Sequence, residues 1–223
     1  MTGIFDSGVG GLTALEYLRI LKPQEDICYL ADRENAPYGS KSQNELLALV
    51  KKDIKRLRDA GCERILAACC TASTVIPDLP YEYRRGVVSI IAPSAAEAVK
   101  LSCGPVGIIA TEATVKSRAF ENEILKRDGN IEILSLSAQP LVAMVESGER
   151  DGNCSDGCKA YLEGLLKNFS GCDILILGCT HFSHLEKTVG EISGIKTLSP
   201  SRIGASVVAK RIVGGGEGRV YYL

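Results

Sequence analysis

The chain has no excess of charge of either sign: 26 lysines and arginines stand against 27 aspartates and glutamates, a formal net charge of −1 over 223 residues. No basic stripe is therefore on offer to hold a nucleic-acid backbone or an anionic membrane surface. No apolar run reaches the length of a membrane span. The N-terminus enters Thr2-Gly3-Ile4-Phe5 directly, without the basic, apolar and cleavage-site order of a secretory leader. A disulfide framework is disfavoured too, because the nine cysteines are odd in number and most sit inside apolar runs rather than between turns. The expectation is a soluble, untargeted, cytoplasmic protein with reduced thiols that acts on a small molecule, with no nucleic-acid or membrane partner.

Short apolar runs alternate with segments of helical periodicity. The runs are Ile4-Phe5, Ile27 to Leu30, Ile65 to Ala68, Val87 to Ile91, Val106 to Ala110, Ile131 to Leu134 and Ile174 to Leu177. Between them lie amphipathic stretches such as Leu12 to Leu21 and Ser42 to Ala60, the second opening with the capping box Ser42-x-x-Glu45. That rhythm predicts an α/β fold with parallel sheets flanked by helices. A second series of strands and helices begins after Pro93-Ser94, and the halves look related. Ile65-Leu66-Ala67-Ala68-Cys69-Cys70-Thr71 parallels Ile174-Leu175-Ile176-Leu177-Gly178-Cys179-Thr180, in each case an apolar run, a cysteine, a threonine and then a helix. The expected architecture is two pseudo-symmetric Rossmann-like lobes, residues 1–92 plus 199–223 and residues 93–198. Ligands of open α/β sheets gather at the carboxyl ends of strands, so lobes packed face to face aim both cysteines into one cleft, the expected active site.

Two thiols on opposite sides of a substrate suit proton removal from one face of a carbon and return to the other. An ordinary thiol, with a pKa of about 8.5, is mostly protonated at neutral pH, and a helix N-terminus after each strand is expected to help it ionise. Asp6 and His181 are candidate proton partners. Cysteines in apolar runs are more often plain core residues, which is the reading for Cys28, Cys62, Cys103 and Cys172; the paired context lifts the first-lobe cysteine and Cys179 out of that class. The repeat aligns Cys70 with Cys179 while leaving Cys69 open, and neighbouring side chains on extended backbone face opposite ways. Asp6-Ser7-Gly8-Val9-Gly10-Gly11 lacks the third glycine of a dinucleotide loop, since position 13 is Thr13, and serves better as a tight turn presenting Ser7 and free amides to a carboxylate. Asp32 through Pro37-Tyr38-Gly39-Ser40 is a loop whose stiff backbone turns amides to a ligand or is a plain surface turn. Thr111 and Thr114 offer two hydroxyls, of which a simple helix cap explains one. Cys179, His181 and His184 lack a fourth ligand at finger spacing, so no metal is expected. Cys154 and Cys158 are four apart, not a CxxC pair, and read as incidental. Glu146 reads as a solvated charge near a helix end.

Together, Phe5-Asp6-Ser7-Gly8-Val9-Gly10-Gly11-Leu12, Pro37-Tyr38-Gly39-Ser40-Lys41-Ser42, Ala68-Cys69-x-Thr71-Ala72-Ser73 and Leu177-Gly178-Cys179-Thr180-His181-Phe182 closely resemble the glutamate racemases. The match runs in order over nearly the whole chain. The resemblance implies cofactor-independent racemisation of glutamate, with Cys69 serving the D-enantiomer and Cys179 the L-enantiomer. It implies Asp6 and His181 as their proton partners and Glu146 as an acid supporting the histidine. Ser7, Pro37, Tyr38, Gly39, Cys70, Thr71, Thr111, Thr114 and Thr180 fall on substrate-contacting positions. It further implies a cytoplasmic enzyme, often a homodimer, that supplies D-glutamate for peptidoglycan. The chain departs from the family's Ala-Cys-Asn-Thr at Cys70, and Leu198-Ser199-Pro200-Ser201 stands where Ile-Asp-Ser is usual. Rival readings are a related two-cysteine isomerase with another substrate, an inactive amino-acid-binding paralogue, and a thiol hydrolase using Cys179 and His181, which leaves the first-lobe cysteine without a role.

Overall fold

The computed structural model describes all 223 residues. Nine strands form two separate, wholly parallel sheets. The first comprises β1 (Thr2–Asp6), β2 (Ile27–Ala31), β3 (Arg64–Ala67), β4 (Val87–Ser89) and β9 (Val220–Tyr222), in the order β4-β3-β1-β2-β9. The second comprises β5 (Val106–Ala110), β6 (Ile133–Ser137), β7 (Ile174–Gly178) and β8 (Lys196–Leu198), in the order β6-β5-β7-β8. The helices are α1 (Leu12–Leu21), α2 (Gln43–Asp59), α3 (Cys70–Thr74), α4 (Tyr81–Arg84), α5 (Ile91–Leu101), α6 (Glu112–Ser117), α7 (Ala119–Leu125), α8 (Gln139–Glu146), α9 (Asp156–Leu166), α10 (Glu186–Ser193) and α11 (Pro200–Ala209).

Side chains alternate across each strand, and this divides the interior into three cores. Ile4 and Leu66 of the first sheet and Ile108, Ile174 and Ile176 of the second all turn inward to one continuous core that also takes in Leu18 of α1, Ala95 of α5 and Val208 of α11. Their neighbours Phe5 and Ile65 face an outer core with Val50, Ile54 and Leu57 of α2. Ile109, Leu175 and Leu177 face a third, with Leu141, Leu162 and Phe169. The two sheets thus share a central helical layer in which α11 packs on both α1 and α5. The helix α5 runs through the expected 92/93 boundary.

Helix α2 starts where its capping box predicts, with Ser42 Oγ accepting the Glu45 amide and Glu45 Oε2 accepting the Ser42 amide at 2.9 Å. The fourth apolar run differs from expectation. It leaves the sheet at Ser89, whose hydroxyl accepts the Ile91 amide, and Pro93 sits in the first turn of α5, where its missing N–H is harmless. The sixth strand lies two residues later than its apolar pattern, over Ile133–Ser137. Both β8 and β9 are three residues long, too short to show a period.

Because Leu18 is fully buried where the central layer joins the sheets, Leu18→Ala removes packing on both sides and is expected to cost about 2–5 kcal/mol in urea unfolding. Ile20→Ala, on the same helix but 74% exposed, is expected to stay within about 0.5 kcal/mol of the parent.

Candidate active site

The central strands β1, β3, β5 and β7 end at one place, and the residues that follow them enclose a cavity of about 790 Å³ between the sheets. Of the sequence-predicted residues, all but Asp6 and Thr114 line it. Those two stand directly behind the wall. Thr180, a lining residue, donates its Oγ1–H to Asp6 Oδ2 at 3.0 Å, joining the lobes, while Asp6 Oδ1 accepts the Gly8 amide at 2.8 Å. Thr114 Oγ1 lies 3.2 Å from Thr71 Oγ1 and 2.9 Å from Thr111 Oγ1, and the latter two are 2.9 Å apart, a closed triangle of hydroxyls from both lobes. Thr111 is the N-cap of α6, so the cap explains one threonine and the triangle the other.

Two glycines let the lobes meet this closely. A Cβ at Gly10 would stand 2.8 Å from the His181 amide nitrogen and 2.9 Å from its Nδ1. A Cβ at Gly39 would stand 2.8 Å from both Thr111 Cβ and Gln139 Oε1. Neither position has room for a side chain.

Cys69 is the N-cap of α3: its Sγ accepts the Ala72 amide at 3.4 Å and lies 3.7 Å from Ser7 Oγ. Cys70, the first residue of α3, belongs to the central core yet also reaches the cavity. Cys179 Sγ lies 3.8 Å from His181 Nδ1, and His181 Nε2 is hydrogen-bonded to Glu146 Oε1. Glu146 is therefore not the free solvated charge of its sequence reading, although its side chain remains 46% exposed. The hydrogen bonds of Asp6 go to Gly8 and Thr180, and its effect on Cys69 is through charge.

The amides that follow each cysteine do favour its thiolate, as expected, but burial outweighs them. Burial, followed by the charge of Asp6, pushes the Cys69 thiol up to about 12, outweighing the Ala72 and Ser7 hydrogen bonds. Burial and the Cys69 sulfur also raise Cys179, against the amides of His181 and Phe182. Cys179 leads into a 3₁₀ stretch, Thr180–Leu185, rather than an α-helix. Burial likewise raises Asp6, opposed by the charge of His181 and by bonds from Gly8 and Thr180. Burial thus favours the protonated form of both thiols.

Sequence reasoning missed Arg33 and Gln139, which also line the cavity. Gln139 Oε1 accepts the Glu112 amide at 3.3 Å and touches Gly39, a contact with no local sequence signal. His184 does not line the cavity, and burial lowers its pKa. Glu149, Cys154 and Cys158 cluster elsewhere, but both Glu149 oxygens accept from Ser155, the N-cap of α9, which makes the carboxylate a helix-end partner.

These features define a class: a two-lobed α/β protein with buried thiols from both lobes facing one cavity. The Asp/Glu/hydantoin racemase family profile matches residues 22–208. A glutamate racemase of Desulforudis audaxviator is 38% identical over 94% of this chain and 77% of its own length. One of Aquifex aeolicus is 36% identical over 97% and 85%. The solved structure of a Francisella tularensis glutamate racemase in complex with D-glutamate superposes with a TM-score of 0.89 at 29% identity, covering 99% of this chain and 86% of that one. The chain belongs to the Asp/Glu/hydantoin racemase family.

The sign of the thiol shift gives a test. A raised folded-state pKa favours the protonated form, so this contribution to stability is complete below the unfolded thiol's value of about 8.5 and is lost as pH climbs through about 12. In the ligand-free protein at pH 7.5, iodoacetamide is expected to label exposed Cys103 at least about 100-fold faster than Cys69, and Cys69 labelling to rise about tenfold per pH unit up to about pH 11. Peptide mapping by mass spectrometry reads both, and equal labelling of Cys69 and Cys103 at pH 7.5 contradicts the shift.

Proposed function

We propose that this protein interconverts L- and D-glutamate by two-base proton transfer without a cofactor. The observation that carries the reading is the pair of buried thiols after the equivalent strands β3 and β7, set on one cavity with a different acid or base beside each. In the L-to-D direction, Cys179 as thiolate takes the α-proton and the Cys69 thiol delivers its own proton to the opposite face. Cys69 is left as thiolate and Cys179 as thiol; before the next L-to-D turnover Cys69 regains a proton from solvent and the proton held by His181 passes to solvent. His181, held by Glu146, takes up the Cys179 proton to generate that thiolate; Asp6 exchanges a proton with Cys69 in the D-to-L direction.

The cavity suits a dicarboxylic amino acid. Ser7, the Pro37-Tyr38-Gly39 segment and Cys70 supply one part of the lining, and Thr71, Thr111 and Thr180, backed by Thr114, supply hydroxyls held in place by hydrogen bonds across the cleft. Fixed donors of this kind stabilise the charge that develops as the α-carbon loses its proton. The product serves peptidoglycan synthesis, and the working form is a cytoplasmic homodimer. A second reading, a related amino acid as substrate, is favoured by Cys70, a thiol on the cavity wall where the glutamate racemases carry an amide.

Circular dichroism of L- or D-glutamate solutions tests the proposal. The purified protein, with no added cofactor, is expected to drive either enantiomer to the racemate, and Cys69→Ser and Cys179→Ser each to lower kcat by about 10²–10⁴. Cys70→Ser is expected to change KM more than kcat. Turnover of aspartate with none of glutamate transfers the proposal to the second reading; turnover by both Cys→Ser variants at the parent rate ends it.

A further inference from the structure

Tyr38 lines the cavity and is buried, and its hydroxyl is flanked by two carboxylates. Tyr38 Oη lies 2.6 Å from Asp32 Oδ2 and 2.8 Å from Asp53 Oδ2. A phenol has one proton and can donate to only one of them. The second contact is a hydrogen bond only if that carboxyl brings a proton of its own.

The surroundings decide which acid does so. Asp32 accepts two further contacts of 2.9 Å from Asn35 Nδ2, so its negative charge is well met. Asp53 is fully buried and its Oδ1 has no partner. An anion left in that state is costly to bury, whereas the carbonyl oxygen of a neutral acid is not. We propose that Asp53 is a positioning residue that carries a proton and donates it to Tyr38, which donates in turn to an ionised Asp32.

The groups around Asp53 agree. Asp32, from the loop after β2, opposes its ionisation, and Lys52 and Arg56 on its own helix favour it. The other elements packed on that side of α2 contribute Phe5, Leu30, Ala72 and Leu79 and the thiols of Cys28 and Cys62 to the same core. The helix α4 meets α2 around Lys51, which lies over the Tyr83 ring, and Arg58, which bonds the Tyr83 and Arg85 carbonyls. Burial dominates, followed by the Tyr38 hydrogen bond in the other direction, and the carboxyl is pushed up to about 7.

The consequence lies at the cavity. Tyr38 is followed by Gly39, which touches Thr111 and Gln139 of the opposite lobe, so the Asp53 proton holds the segment that spans the cleft. Loss of that proton sets two anions on one phenol and frees the Pro37-Tyr38-Gly39 wall. This effect on substrate rests on the proposed glutamate reading; the proton on Asp53 does not.

The test uses two independent readouts. In protein carrying ¹³C at aspartate Cγ and tyrosine Cζ, NMR is expected to show the Asp53 carboxyl titrating near neutral pH and the Tyr38 resonance moving with it. In Asp53→Asn, whose Nδ2–H replaces the carboxyl proton, the Tyr38 resonance is expected to keep its low-pH position throughout. Kinetically, KM for glutamate is expected to rise about tenfold between pH 6 and pH 8 in the parent and by less than about twofold in Asp53→Asn, with Asp53→Ala raised at both. An Asp53 resonance of a carboxylate down to pH 5, or an Asn variant whose Tyr38 resonance still titrates, overturns the proposal. If glutamate is not turned over but the coupled titration is present, the functional reading fails and the Asp53 assignment stands.

Discussion

The close approach of the two lobes at Gly10 and Gly39 is the constraint from which the rest of the cleft follows. With no side chain at either position, the turn after β1 sits against His181 and the Pro37-Tyr38-Gly39 segment against Thr111. The polar groups buried at the join must find partners, and they find them across it. Thr180 therefore bonds Asp6, and Thr71 bonds Thr111 and Thr114, tying the sheets together at the one place where both cysteines emerge.

That same burial sets the chemistry. A desolvated thiol resists ionisation more strongly than a few amide hydrogen bonds encourage it, so Cys69 and Cys179 rest protonated. A substrate that brings an ammonium group into the cavity changes this balance, because a nearby positive charge favours a thiolate. Under the proposed function, ionisation is then coupled to binding of the substrate. The half-exposed Glu146, reached through His181, and the buried Asp6 give the two thiols different neighbours.

Much of the fold was legible in the chain. Strands such as Val106–Ala110 and Ile174–Gly178 stand out because both faces are buried and their apolar runs are unbroken. The Ser42 capping box marks its helix to the residue. The shared central layer was not legible, since nothing local tells α11 to lie on both α1 and α5. At the site, the glycine turn and the two cysteines carried recognisable spacing. Gln139 and Asp53 carried none: Asp53 lies among Lys51, Lys52, Lys55 and Arg56 in a charged helix and reads as one more solvated acid, although its face of that helix is the buried one. The thiol shifts were also invisible, because they sum burial and charge from segments far apart in sequence.

The central claim is that two different groups, one on each face of the α-carbon, remove and return the proton. It is tested most directly by starting the reaction from each enantiomer in D₂O and following α-deuterium in the residual substrate and in the product at early times. Two thiols predict deuterium in the product from the first turnovers with the residual substrate still protiated, in both directions. Deuterium entering substrate and product together from the start would mean a single group serving both faces, and would contradict the account.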